Sequence, residues 1–193
     1  AAAAALSDKL RALSEKVVFA LRLEVRVRCY HHLQSIREVR YEEASLATQP
    51  DAFVVELNKE LTAMATELAA YMSVSKVSYV FGGVEAVQGR ILVGSMAFVT
   101  QVSTAGIGKL ERNVVALQQT LSSLVAVDEV HYERARSYFE LLKLSIKKFL
   151  STVSDASLDF SAEDFRHALR IISGGRVVES AVEILERLLQ QQA

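Results

Sequence analysis

Proline is almost missing from this chain: among 193 residues Pro50 is the only one. Proline lacks an amide donor and collides with the preceding helical turn, so its scarcity leaves long stretches free to run as helix. Cysteine is nearly missing as well. A lone Cys29 excludes an internal disulfide and fits a reducing compartment. Aromatic residues make up 7% of a chain that is 51% hydrophobic, so the core must be mostly Leu, Val, Ile and Ala. Net charge is also lacking. The 22 Lys+Arg stand against 23 Asp+Glu, without the basic excess expected of a nucleic-acid binder. No apolar run reaches the roughly 20 residues of a membrane span. The most apolar, Ile91 to Val99, contains Gly94 and Ser95 and is flanked by Arg90 and Gln101. No stretch reads as a signal peptide, and a soluble protein is expected. The five alanines at 1–5 are set aside as an artefact or unassigned segment. Residues 6–193 read as one helical-bundle domain, with a candidate sub-boundary near 154–160.

What is present is helical period. Ile107, Leu110, Val114, Leu117, Leu121 and Leu124 alternate steps of three and four, as do Tyr132, Ala135, Phe139, Leu142, Ile146 and Phe149. That spacing draws one apolar stripe along a helix. A chain of this length buries roughly 70% of its unfolded surface, enough for a core without staples. The first helix is expected from Ser7, a good N-cap, through Leu10, Leu13, Val17, Leu21, Val25, Leu33 and Ile36 to about Ala44. Within it, Leu21 to Arg28 alternates apolar and charged residues with the period of a strand. A lone strand without a partner is marginal, and no partner run is found, so helix is expected there too.

Thr48-Gln49-Pro50-Asp51 is the clearest break, with proline and an acid where the next helix begins. Its stripe is Val54, Leu57, Leu61, Met64, Leu68 and Tyr71. A central helix follows from about Lys76 to Val102, carrying Gly82, Gly83, Gly89 and Gly94. Each glycine costs about 1 kcal/mol against alanine in a helix. Four of them predict close backbone approach, with Gly82-Gly83 as the place for a kink or break. Gly106 and Gly108 bracket the turn into the helix ending at Leu124, and Asp128-Glu129 opens one ending near Val153. Ser161-Ala162-Glu163-Asp164 resembles a capping box for a helix to Ile172, closed by Gly174-Gly175. Val178, Val182, Leu185 and Leu189 define the last. The expected fold class is all-α: a compact antiparallel bundle of about six or seven helices, the end of a helical rod.

No constellation reads as a reaction centre. Ser103 to Leu110 superficially resembles a phosphate loop, but Ser103 stands where glycine is required and Leu110 where Ser or Thr is. His31 and His32 point about 100° apart on a helix, and His131 and His167 lie far along the chain, so no metal site is expected. Nothing marks Cys29 as a nucleophile. The acid pairs Glu42-Glu43, Asp128-Glu129 and Glu163-Asp164 sit at helix termini, the last two suited to first-turn positions. No cofactor and no enzymatic activity are expected. Arg22, Arg26, Arg28, Arg37 and Arg40 give the first helix a cationic side, interrupted by Glu24 and Glu38. Of these, Arg22, Arg26 and Arg37 form the candidate partner-contact face. The side could equally shield the core with its stems, or touch anionic lipid.

Leu21-Arg22-Leu23-Glu24-Val25-Arg26-Val27-Arg28-Cys29-Tyr30-His31-His32-Leu33 resembles the Leu-Arg-Leu-Glu-Val-Arg-Val-x-Cys-Phe-x-x-Leu segment of the Sec-eight subunit family of the exocyst. Val54 to Leu61, Tyr79 to Val84, Gly106 to Leu121 and Ala135 to Leu142 resemble further blocks of that family in the same order. The blocks span about residues 17 to 170. The resemblance implies the C-terminal portion of a much longer, non-enzymatic subunit of a helical-rod complex that tethers secretory vesicles to the plasma membrane before SNARE-mediated fusion. It implies contacts with other exocyst subunits and, indirectly, with small GTPase or SNARE regulators. It also implies a cytoplasmic location, peripheral at secretion sites, with at most peripheral membrane contact; a direct anionic-lipid-binding helical module is the alternative. Two departures matter. Gly82 stands where the family has glutamate, and the ending Gln190-Gln191-Gln192-Ala193 carries over no PDZ-binding tail.

Overall fold

Glycine, rather than proline, divides the middle of this chain. The computed structural model describes residues 2–42, 48–155, 158–176 and 178–192. The expected first-helix end at Ala44, the acid Glu43, the terminal Ala193 and positions 156–157 of the candidate sub-boundary lie outside them. The α-helices are α1 (Ala2–Leu33), α2 (Ala52–Tyr71), α3 (Val74–Phe81), α4 (Val84–Gly94), α5 (Thr104–Leu124), α6 (Val130–Leu141), α7 (Ile146–Asp155), α8 (Ala162–Ile172) and α9 (Glu179–Gln192). Short 3-10 turns follow α1 at Gln34–Glu38 and α4 at Ser95–Phe98. No strand occurs among the described residues, so the fold is all-α.

Two of the expected helices each run as two segments. The stretch from Lys76 to Val102 breaks at Gly82-Gly83, because Gly83 takes φ +80°, a left-handed conformation that only glycine adopts cheaply. The stretch after Asp128 breaks between Leu141 and Ile146. There Leu142, Lys143 and Leu144 each bond back three residues, and Ser145 Oγ accepts from the amide of Lys148 at 3.4 Å. The apolar stripe runs straight through that break. Tyr132, Ala135, Phe139 and Phe149 are all buried, which is why periodicity alone did not reveal it.

The first helix differs from its expected course at both ends. It starts before Ser7 and stops at Leu33 rather than near Ala44. Val25, Leu33 and Ile36 are buried as expected, but Leu10, Leu13 and Val17 are exposed; among the described residues, burial of α1 begins at Ser14 and Val18. The strand-like alternation has a helical explanation. Leu21 and Val25 face the core while Leu23 and Val27 are 47% and 60% exposed, so this helix is apolar on two sides.

α1 packs on α2, α3 and α4; α4 packs on α6, and α5 on α2 and α6. Ile107, Leu110, Val114, Leu117 and Leu121 of α5 are all buried. Each such aliphatic side chain contributes roughly 1.5–3 kcal/mol relative to exposure. α4 is central, as its glycines predicted, and the close approach is real at Gly89: a Cβ there would lie 2.8 Å from the carbonyl oxygen of His131 on α6. At Gly94 nothing lies within 4 Å, so that glycine serves no such contact.

The capping box forms as expected, Ser161 Oγ accepting from the Asp164 amide and Asp164 Oδ2 from the Ser161 amide. Gly174 and Gly175 then close α8 with positive φ. α7, α8 and α9 pack on one another. The group is anchored to α6 where Phe160 sits between Tyr138 and Phe165 (centroids 5.4 and 5.8 Å) and Tyr138 OH donates to the Asp164 carbonyl at 3.0 Å.

Candidate contact surface and interior polar ties

α3 ends at Phe81 with Gly82 as its cap, so its last carbonyls need donors from outside the helix. α1 supplies them. Arg22 Nη1 donates to the Tyr79 carbonyl while its guanidinium lies over the Tyr79 ring, 4.6 Å from the centroid. Arg26 Nη2 donates to the Gly82 carbonyl and Nη1 to the Arg22 carbonyl, both at 2.8 Å. Two cations thus sit at the negative end of a helix, where the dipole favours them. Partial burial, and then neighbouring Arg22, pull the Arg26 guanidinium below its usual pKa. Of the three candidate contact residues, the structure therefore brings Arg22 and Arg26 together over one helix end. Arg37 stands apart on the 3-10 turn, exposed and stacked on the exposed Phe98 ring at 4.0 Å. Arg28 turns to acids instead, bonding Glu24 at 2.8 Å and Glu60 of α2 at 3.0 Å. Beside this cluster an open cleft of about 440 Å³ separates α1 from α3, bridged by Lys76 Nζ donating to Ser14 Oγ at 2.9 Å.

Two polar clusters inside the bundle were not anticipated. Asp51, expected only as a helix-opening acid, makes no side-chain cap. Its buried carboxylate accepts from Tyr41 OH (2.8 Å) and Asn113 Nδ2 (2.7 Å) and pairs with Lys109 Nζ (2.5 Å). The Asp51 amide in turn donates to Asn113 Oδ1 at 2.8 Å. The chain entering α2 is thereby fastened to α5. Burial, reinforced by the Asp51 charge, raises the Tyr41 hydroxyl far above the usual tyrosine range, so it remains a donor. A signal did exist: Asn113 lies three residues after Leu110, inside the apolar stripe of α5.

The second cluster joins three helices. Tyr132 of α6 donates to Gln88 Oε1 of α4, and Gln88 Nε2 reaches Cys29 Sγ of α1 at 3.7 Å. Burial pushes the Cys29 thiol up to about 11, partly opposed by the Gln88 contact. It is therefore protonated at neutral pH and shielded, the opposite of an activated nucleophile. Chemically these groups hold helices together; their donors and acceptors face each other.

The remaining candidates stay apart. Among the described residues no group of three or more His, Cys, Asp or Glu is placed to hold a metal ion, and no helix is long and apolar enough to cross a membrane. His32 Nε2, itself buried, lies 3.3 Å from Glu60 Oε1, a pair that is ionic only when the imidazole is protonated. The segment resembling a phosphate loop forms the first turns of α5, capped by Ser103 Oγ, which accepts from the Gly106 amide at 3.1 Å.

No family model matches the chain. Among curated proteins it is similar to exocyst complex component 4 of Dictyostelium discoideum, 26% identical over 94% of this chain and 14% of that protein. It is 31% identical to exocyst complex component 4 of Drosophila melanogaster over 82% of this chain and 16% of that protein. It is 26% identical to exocyst complex component SEC8 of Arabidopsis thaliana over 97% of this chain and 18% of that protein. The chain thus spans less than a fifth of the length of these relatives. The similarity to these three proteins covers 82–97% of this chain.

Proposed function

We propose, from the premise that this chain belongs to the exocyst component 4 family, that it acts as a rigid, non-catalytic scaffold segment in the tethering of secretory vesicles before SNARE-mediated fusion. The observation that carries this is the similarity running along 82–97% of the chain to proteins named as exocyst components in an amoeba, a plant and an insect. The interior supports it. Polar groups at Asp51 and Gln88 are spent on cross-helix ties, which stiffen a spacer. A tether works without catalysis, because holding two membranes within reach raises the effective concentration of the fusion machinery. Its partners are other exocyst subunits, with small GTPase and SNARE regulators reached through them, at cytoplasmic secretion sites on the plasma membrane.

The arginine face is part of the proposal. Arg22 and Arg26 already hold the end of α3, so Arg37, exposed beside Phe98, is the member most open to a partner. The test is affinity capture with the full polypeptide, wild type against Arg37→Glu, which leaves the α3 ties untouched. Exocyst subunits recovered by the wild type and depleted by the variant support both the function and the face. Equal recovery removes the arginine face. A wild type that recovers no exocyst subunit removes the function.

A further inference from the structure

Gly89 brings two helices into backbone contact and, in doing so, shapes a cleft in the middle of the chain. A Cβ there would meet the His131 carbonyl oxygen at 2.8 Å, so α4 and α6 lie closer than a side chain would permit. Arg90, next to that contact on α4, and His131 on α6 line a common opening of about 400 Å³. Ala86, Gly89, Arg134 and Asp159 complete its walls.

The donors in this cleft outnumber their acceptors. Arg134 is fixed in place: Nε donates to the Asp159 carbonyl at 2.7 Å, Nη2 to Asp164 Oδ2 at 3.2 Å, and the guanidinium lies over the Phe160 ring at 5.0 Å. Its Nη1 donates to nothing among the described residues. Arg90 is exposed and spends only Nε, on the Ala86 carbonyl of its own helix at 3.2 Å. Both of its terminal nitrogens, and the half-buried His131 ring, are without a hydrogen bond or ion pair among the described residues. One acid lines the cleft with them. Asp159 lies 3.6 Å from Arg134 Nε but is fully exposed, where water screens it.

Three side chains that each bring an N–H to one opening match a group with three terminal oxygens. A phosphate monoester has them, with nearly two negative charges at neutral pH. A carboxylate has two oxygens and one charge. The walls hold no aromatic ring and no large apolar side chain, so nothing grips the body of a small organic phosphate. A membrane surface fits poorly as well, because Asp128, Glu129 and Glu133 are exposed around the first turn of α6.

We propose that this cleft binds the phosphate of a phosphorylated serine or threonine side chain, with Arg90, His131 and Arg134 as its donors. This stands apart from the tethering reading, since it rests on the packing of α4 against α6.

The experiment uses the full polypeptide and a fluorescent peptide of glycines and alanines around one phosphoserine, with its serine twin as control. Anisotropy titration is expected to show saturable binding of the phosphopeptide and at least about tenfold weaker binding of the twin, the weight of a charge-assisted hydrogen bond. Arg90→Gln and His131→Gln each weaken binding severalfold and together abolish it, while Arg90→Lys, which keeps the charge, retains most of it. Arg90 is exposed and the Gly89 contact is to the His131 backbone, so unchanged circular dichroism confirms that these variants fold. Arg134 is left intact because it holds Asp159 and Phe160. Absence of binding, equal binding of both peptides, or binding indifferent to Arg90→Gln and His131→Gln overturns the proposal. Glycerol phosphate binding as tightly as the phosphopeptide overturns the side-chain source. Sedimentation with anionic phospholipid vesicles that Arg90→Gln abolishes does so too, because a lipid surface then occupies the cleft.

Discussion

Replacing Gly106 by alanine should cost this protein much of its stability, whereas the same change two residues later should not. A Cβ on Gly106 would lie 2.2 Å from the Tyr41 carbonyl oxygen and 3.0 Å from both its carbonyl carbon and Val102 Cγ1. Backbone must therefore move. The Tyr41 oxygen accepts from the Ser103 amide at 3.2 Å and the Ser103 hydroxyl at 3.0 Å, and losing both costs about 2 kcal/mol. Overpacking adds about 1–3 kcal/mol. The helix preference of alanine returns at most about 1 kcal/mol. The sum is a destabilisation of about 2–4 kcal/mol, or roughly 5–15 °C in Tm for a chain of this size. At Gly108 the nearest atom to a new Cβ is Arg112 Nη1 at 3.6 Å, so Gly108→Ala should be neutral or gain up to about 1 kcal/mol. Urea and thermal unfolding followed by far-UV circular dichroism measures both. A Gly106→Ala midpoint within about 0.5 kcal/mol of wild type, or equal losses at both glycines, would refute the close approach of the Tyr41 segment to α5.

Cys29 should report on the integrity of the bundle. Its thiol, pushed up to about 11, has a thiolate fraction more than about a hundredfold below that of an ordinary cysteine near neutral pH. A disulfide reagent should label it at least that much more slowly in the native protein than in urea; comparable rates would mean that α1, α4 and α6 do not close over it. Acid should weaken the α8–α9 contact. Arg166 bonds Glu186 at 2.7 and 2.9 Å and holds its carboxyl below the usual range. A depressed folded pKa gives stability that is complete above the unfolded value near 4.3 and fades as pH falls through the lower folded one. Wild type should accordingly melt above Glu186→Gln at pH 7, with the gap closing at acid pH. A gap that persists in acid would show that the loss comes from packing rather than charge.

How much was legible can be judged from individual residues. The stripes of α2 and α5 were, because Val54, Leu57, Leu110 and Leu117 repeat at helical spacing, and the start of α8 was, because Ser161 to Asp164 carries a capping box. The division at Gly82-Gly83 was legible as an alternative to a continuous helix, but deciding it required the positive φ of Gly83. The roles of Asp51 and of Gln88 were not legible. Their partners lie 62 residues away in Asn113 and 44 away in Tyr132, and helical period carries no information about such pairings. The arginines were visible as a cationic side, yet a sequence cannot tell a guanidinium awaiting a partner from one already holding the carbonyl of Gly82. Leu10 and Leu13 show the converse: their spacing announces a buried face, yet they are 59% and 58% exposed.

The account rests most heavily on this chain being a scaffold that meets other exocyst subunits through its exposed surface. Crosslinking mass spectrometry of the assembled complex, with a lysine-reactive reagent, tests that directly. Links from exposed lysines such as Lys9, Lys16 and Lys59 to other exocyst subunits are expected, with links inside the bundle, such as Lys109 or Lys143 to neighbouring helices, unchanged by assembly. Links from these lysines that never leave the chain, in a complex otherwise fully crosslinked, would contradict it.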